Sequence, residues 1–132
     1  ASPAYVARHM PHGPTAAALA RAPALTFSDK DRLQHLWVDA MTGGQASRAG
    51  FPSHRLASSQ GFVDACRAGL GWCLNPEPLA AALIASGDLV DLAPDHPLDV
   101  ALHWQFARLT APALAPLTRA MQAAAAACLL QS

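Results

Sequence analysis

The stretch Ser58-Ser59-Gln60-Gly61-Phe62-Val63-Asp64-Ala65-Cys66-Arg67-Ala68-Gly69-Leu70-Gly71-Trp72 carries the strongest chemical signal in the chain. Two adjacent hydroxyls open what reads as a ten-residue helix, Gly69 closes it, and an apolar strand follows at once. Serines at a helix start take up free backbone N–H groups. Those same N–H groups, at the positive end of the helix dipole, hold a carboxylate when a ligand supplies one. A strand running into such a helix start builds half of a binding cleft for a small anion. An ordinary helix cap uses the same residues, so the flanking segments must decide.

Other chemistries fare worse. His9 and His12 flank Pro11, no Cys-x-x-Cys accompanies them, and His35, His54, His96 and His103 are scattered, so no metal site is expected. Cys66 sits on the inward face of its helix without a nucleophile signature around it. Gly43-Gly44 and Gly69-x-Gly71 lack phosphate-loop or dinucleotide spacing, and no Gly-x-Ser-x-Gly elbow occurs. The expectation is a protein that binds rather than catalyses, with no catalytic residues and no cofactor.

Composition bounds the rest. The 132 residues are 52% hydrophobic and 14% charged, enough apolar content for a genuine core in one domain's length of chain. Nine basic residues balance nine acidic ones, without the basic surplus of a nucleic-acid-binding surface. No apolar run approaches a membrane span, and the first residues lack a secretory pattern. Cys66, Cys73 and Cys128 are odd in number and lie in apolar segments, which points to free thiols in a reducing compartment. The chain starts on Ala in structured-looking sequence, which suggests a fragment whose N-terminal portion is removed.

Elements must position these groups. Ser2 caps a short helix with Pro3 in its first turn, and Thr15 caps a second that stops before Pro23. Ala24-Leu25-Thr26-Phe27 reads as a buried strand. Ser28, Asp29 and Asp31 then cap a helix that buries Leu33, Leu36, Trp37 and Ala40. Met41 to Ser53 is a loop, with Ser47, Arg48 and Pro52 among its markers. His54 to Ala57 is a strand leading into the Ser-capped helix, whose Phe62, Val63 and Cys66 face inward and whose Asp64 and Arg67 face outward. Leu70 to Leu74 is a buried strand, Asn75-Pro76-Glu77-Pro78 starts a helix ended by Gly87, and Leu89 to Leu92 is another strand. Ala93 to Pro97 makes a turn, Val100 to Phe106 a last strand, and Pro112 opens a long helix striped by Leu114, Leu117, Met121, Ala125 and Cys128. Strands alternating with helices across short connections predict an α/β fold with a largely parallel sheet. Trp104, between His103 and Gln105, serves as core or as a cleft wall.

In order, these pieces resemble the effector-binding domain of LysR-type transcriptional regulators. The residues that carry the resemblance are Ala1-Ser2-Pro3-Ala4-Tyr5, Ser58-Ser59-Gln60-Gly61-Phe62-Val63 and Ala68-Gly69-Leu70-Gly71-Trp72. Asn75-Pro76, Ala85-Ser86-Gly87-Asp88-Leu89-Val90-Asp91-Leu92 and Leu102-His103-Trp104 continue it. Phe27-x-x-x-Asp31-x-Leu33-Gln34 beside Ser58-Ser59-Gln60-Gly61-Phe62 is most similar to the arginine/lysine-export regulator branch. The resemblance spans essentially the whole chain and rests on the ordered set rather than on any one motif.

It implies a type 2 periplasmic-binding-protein-like fold. Residues 1–99 would form regulatory subdomain II with its hinge, and residues 100–132 the returning strand and C-terminal helix of a truncated subdomain I. The winged helix-turn-helix of the family is absent from the sequence. DNA would be bound only through that missing domain, in a cytoplasmic homodimer or homotetramer, with no membrane partner. A small effector between two lobes shifts the orientation of DNA-bound subunits by its difference in affinity for two arrangements. Ser58, Ser59 and Gln60 would receive its carboxylate or polar end, with Ser2 at the crossover and Phe27, Asp29 and Asp31 on a loop after a strand's carboxyl end. For a lysine or arginine effector a carboxylate must meet the cation, Asp31 first and Asp29 second. The alternative is a periplasmic-type solute-binding protein for an amino acid or organic acid, which shares the two-lobed architecture.

Overall fold

The computed structural model describes residues 1–44 and 50–130. They fall into two units, Ala1–Leu98 and Asp99–Ser132. The first unit carries the α/β layer.

Local capping explains the first two helices. Ser2 Oγ accepts from Tyr5 N–H at the start of α1 (Pro3–His9), and Thr15 Oγ1 accepts from Ala18 N–H at the start of α2 (Ala16–Leu19). Strand β1 (Ala24–Thr26) is wholly buried and runs parallel to β2 (Ser53–Arg55), whose side chains are exposed. Between them lies α3 (Leu33–Thr42), closed by Gly43 in the left-handed region at φ 59°. The loop expected from Met41 to Ser53 falls partly on residues 45–49, Ser47 and Arg48 included, which lie outside the described residues. Helix α4 (Ser59–Arg67) follows β2, and α5 (Glu77–Ala85) starts after Asn75-Pro76, with Gly87 at φ 80° beyond its end.

The expected strand over Leu70–Leu74 shrinks to one parallel bridge, Ala24 with Trp72. Trp72 N–H donates to Pro23 O at 3.2 Å and Leu25 N–H donates to Trp72 O at 2.8 Å. The next rung of a parallel ladder would run from Leu74 N–H to Leu25 O. Gln34 Nε2 donates to Leu25 O instead, at 2.8 Å, and the strand goes no further. The layer order is therefore β2, β1, Trp72, joined by helical crossovers.

Leu89–Leu92 forms no strand either. Leu89 N–H donates to Leu83 O at 3.0 Å, and the backbone of Val90 goes to Ala1: Val90 N–H donates to Ala1 O at 2.7 Å and Ala1 N donates to Val90 O at 3.1 Å.

Two apolar clusters stabilise this unit. One groups Tyr5, Met10, Leu19, Trp37, Val38 and Trp72, and the other Leu25, Phe62, Ala65, Cys66 and Leu89. Trp37 and Trp72 rings lie 5.5 Å apart, and Phe51 is 5.6 Å from Trp72. Tilted pairs at such spacing add about 0.5–1.5 kcal/mol each beyond burial. The polar edges are matched as well: Trp37 Nε1 donates to His96 O (2.9 Å), Trp72 Nε1 to Ala22 O (3.2 Å) and Tyr5 Oη to Pro23 O (2.6 Å). Burial pushes the Tyr5 phenol up, with Cys66 beside it adding to the effect. The face of α3 that goes inside is Gln34, Trp37 and Val38, whereas the expected Leu36 is 54% exposed and Ala40 is exposed.

The second unit is α6 (Ala111–Cys128) preceded by a single 3₁₀ turn, Arg108–Thr110. Val100–Phe106 forms no strand here, because among the described residues nothing pairs with it. The predicted stripe on the helix is present in sequence, yet Leu117 and Met121 remain exposed.

Candidate functional site

A cleft of about 380 Å³ opens where the chain leaves β1. The β1–α3 loop contributes Phe27, Ser28, Lys30 and Asp31; α3 contributes Leu33 and Gln34; α4 contributes Ser59 and Phe62. Leu74, Asn75, Pro76 and Leu79 form the remaining wall. The position beyond a strand's carboxyl end, beside helix starts, is where open α/β sheets collect ligands.

The two serines of the signal stretch divide the work. Ser58 is the N-cap, its Oγ accepting from Gly61 N–H at 3.1 Å, and it does not line the cleft. Gly61 is pressed against this cap, since a Cβ there would lie 3.1 Å from Ser58 Cβ. Ser59, at the first helical position, lines the cleft. The amides of Ser59 and Gln60 precede the first intrahelical bond, so this end of α4 keeps N–H donors to offer an anion. Gln60 turns outward, donating from Nε2 to Asp64 Oδ1 at 3.3 Å.

Asp31 and Asp29 also part. Asp31 Oδ2 accepts from Phe27 N–H at 2.8 Å and Oδ1 from Leu33 N–H at 3.1 Å, which folds the loop back onto the start of α3. The N-cap position itself is Arg32, without a side-chain bond, and not one of the expected Ser28, Asp29 and Asp31. Asp31 lines the cleft while holding its shape. Asp29 is paired with Arg55 on an exposed surface and is not among the lining residues.

Ser2 lies elsewhere. It is 5% exposed, and a Cβ on Gly69 would lie 3.3 Å from its Oγ, so it sits at the far end of α4 from Ser59. A nine-residue helix puts about 13 Å between the two hydroxyls' neighbourhoods. Trp104 belongs to the second unit, where Nε1 donates to Thr118 Oγ1 at 3.1 Å and the ring lines a groove with Leu102 and Met121. Of the expected contacts, Phe27, Asp31 and Ser59 meet in one cleft; Ser2, Asp29, Ser58, Gln60 and Trp104 do not line it.

Sequence reasoning missed Lys30, Gln34 and Asn75 as lining residues. Gln34 had a readable signal, because it stands three and four residues before Trp37 and Val38, on the helix face that goes inside.

Among the described residues no group of three His, Cys, Asp or Glu side chains could hold a metal ion, and no helix is long and apolar enough to cross a membrane. The cysteines are free. Hydrogen bonding between Cys73 and Cys66 draws the Cys66 thiol down and pushes Cys73 up, and Asn75 Nδ2 donates to Cys73 Sγ at 3.1 Å.

A mixed α/β layer with a cleft at its strand ends and an N–H-bearing helix start in the wall fits the type 2 periplasmic-binding-protein-like fold of small-molecule effector-binding domains. Residues 1–126 match the LysR substrate binding domain, and the chain belongs to that family. It is 42% identical over 125 residues to the HTH-type transcriptional regulator ArgP of Pseudomonas aeruginosa PAO1, covering 95% of this chain and 40% of the relative. It thus spans about two-fifths of the length of that regulator. Among solved structures, the C-terminal domains of a LysR family protein from Agrobacterium tumefaciens C58 superpose with a TM-score of 0.93 at 49% identity, over 100% of this chain and 62% of that one. Full-length LysG from Corynebacterium glutamicum with bound effector Arg gives 0.80 at 34% identity, over 99% of this chain and 43% of that one.

Proposed function

We propose that this chain is the sensing part of a LysR-type transcriptional regulator, and that its cleft takes arginine or lysine. The observation that carries the reading is the meeting of Ser59, Asp31 and Phe27 around one opening. Ser59 and the first amides of α4 receive the effector carboxylate. Asp31 supplies negative charge for the basic end, using acceptor sites left over from its two backbone bonds. Phe27, 44% exposed, offers a ring face to the same cation. The effector bound by LysG of Corynebacterium glutamicum supports this choice.

In this reading residues 1–99 act as regulatory subdomain II and residues 100–132 belong with subdomain I. Effector binding biases the orientation of subunits in a cytoplasmic homodimer or homotetramer that meets DNA through a separate helix-turn-helix domain. The domain performs no catalysis. A solute-binding protein shares the fold, but the 42% identity runs to regulators.

The test is calorimetric titration of L-arginine and L-lysine into full-length wild-type protein, Ser59→Ala and Asp31→Ala. Weakened binding in both variants is expected. Equal affinities for wild type and Asp31→Ala remove Asp31 from the site, and no heat with either amino acid rejects the effector class.

A further inference from the structure

We infer that Gln34 sets the ligand specificity of the cleft: its Oε1 accepts a hydrogen bond from a nitrogen of the bound amino acid. The inference rests on the cleft reading above and adds a discriminating residue to it. Gln34 is 1% exposed, lines the cleft, and donates from Nε2 to Leu25 O at 2.8 Å. That bond fixes which way the amide faces, because the reverse orientation would set two carbonyl oxygens against each other. Oε1 is left buried with no partner. A buried acceptor of this kind asks for a donor. The apolar wall residues Leu33, Phe62, Leu74 and Leu79 have none to give, and the polar lining residues Ser28, Lys30, Ser59 and Asn75 make no hydrogen bond to it.

The consequence is selective. An ammonium or guanidinium N–H satisfies Oε1, a hydrocarbon end leaves it unpaired, and a carboxylate sets acceptor against acceptor. Sites built around a buried polar group reject analogues that lack its complement far more strongly than apolar pockets do. Asp31 attracts cationic ligands into the cleft; Gln34 then distinguishes among them by the position of one N–H.

The experiment is a cycle of ligand and protein changes on the full-length protein. Lysine, norleucine and 6-aminohexanoate, which lack in turn the side-chain and the α-nitrogen, are titrated into wild type and Gln34→Met. Wild type is expected to prefer lysine over one analogue by about tenfold or more, and that preference falls to within about twofold in Gln34→Met. The preference that collapses names the nitrogen. Should Gln34→Met fail to fold, the Gln34 side-chain carbonyl ¹³C resonance of wild type, which moves on lysine saturation, reads the same bond. Wild-type binding with an unmoved resonance, or with the full preference kept in Gln34→Met, overturns the role of Gln34 alone. Wild type that binds none of the three overturns the cleft reading itself.

Discussion

Gln34 reaches across from α3 to occupy the carbonyl of Leu25, at 2.8 Å, where a third strand would have placed its own amide. One side chain thereby ends the sheet and opens the wall of the cleft. The layer stays short on the ligand side because a helix side chain, rather than Leu74, completes the ladder.

Gly71 lies in the tightest part of that layer. A Cβ there would come within 2.9 Å of both Pro23 O and Leu25 Cδ2. Backbone cannot yield as a side-chain end can, so Gly71→Ala is expected to cost about 1–3 kcal/mol in urea denaturation. Gly13→Ala, with open space around it and only its φ of 85° to oppose a side chain, should cost less. Equal losses for the two would show that the close approach does not matter.

The adjacent serines should separate cleanly. Ser58→Ala removes the cap on Gly61 N–H and is expected to lower stability by about 1 kcal/mol. Ser59→Ala leaves the cap intact and should keep the melting temperature while weakening effector binding. Thermal denaturation alongside titration distinguishes them, and a reversed pattern would exchange their roles.

Asp31 has a structural duty apart from any ligand. Asp31→Ala strips the acceptors from Phe27 N–H and Leu33 N–H, and a loss of about 1–2 kcal/mol is expected without effector present. Asp31→Asn keeps one carbonyl oxygen and should lose less. Unchanged denaturation midpoints for both would show that these two bonds do not hold the loop.

Trp37 ties the turn around His96 to the core. Trp37→Phe keeps an aromatic ring near Trp72 but leaves His96 O without its donor, at a cost of about 1–3 kcal/mol. The amide of His96, bonded to Ala93 O, should then exchange faster with deuterium. Exchange unaltered at that amide would mean the turn is held by other contacts.

Helices α1, α2 and α4 were readable because Ser2, Thr15 and Ser58 cap the starts at which the sequence puts them, whereas α3, α5 and α6 start without a side-chain bond from the N-cap residue. Strands were harder, since alternation specifies a face and not a partner. Leu89–Leu92 alternates, yet Val90 spends its backbone on Ala1, and Val100–Phe106 alternates with no described strand to pair with. The inward face of α3 was misjudged because Leu33 and Leu36 outrank Gln34 in hydropathy, while the amide of Gln34 is wanted inside for Leu25. Ser59 and Asp31 were visible as residue types at a helix start and after a strand. That Ser58 and Asp29 turn elsewhere depends on distances no spacing encodes.

The reciprocal bonds between Ala1 and Val90 have a mechanical meaning. Ala1 is rooted in the apolar nucleus around Trp72, and Leu89, one residue before Val90, is rooted in the other, around Phe62. The pair acts as a rivet through both nuclei. Loosening either one strips the rivet and exposes its neighbour, so the two are expected to melt in a single cooperative event instead of in sequence.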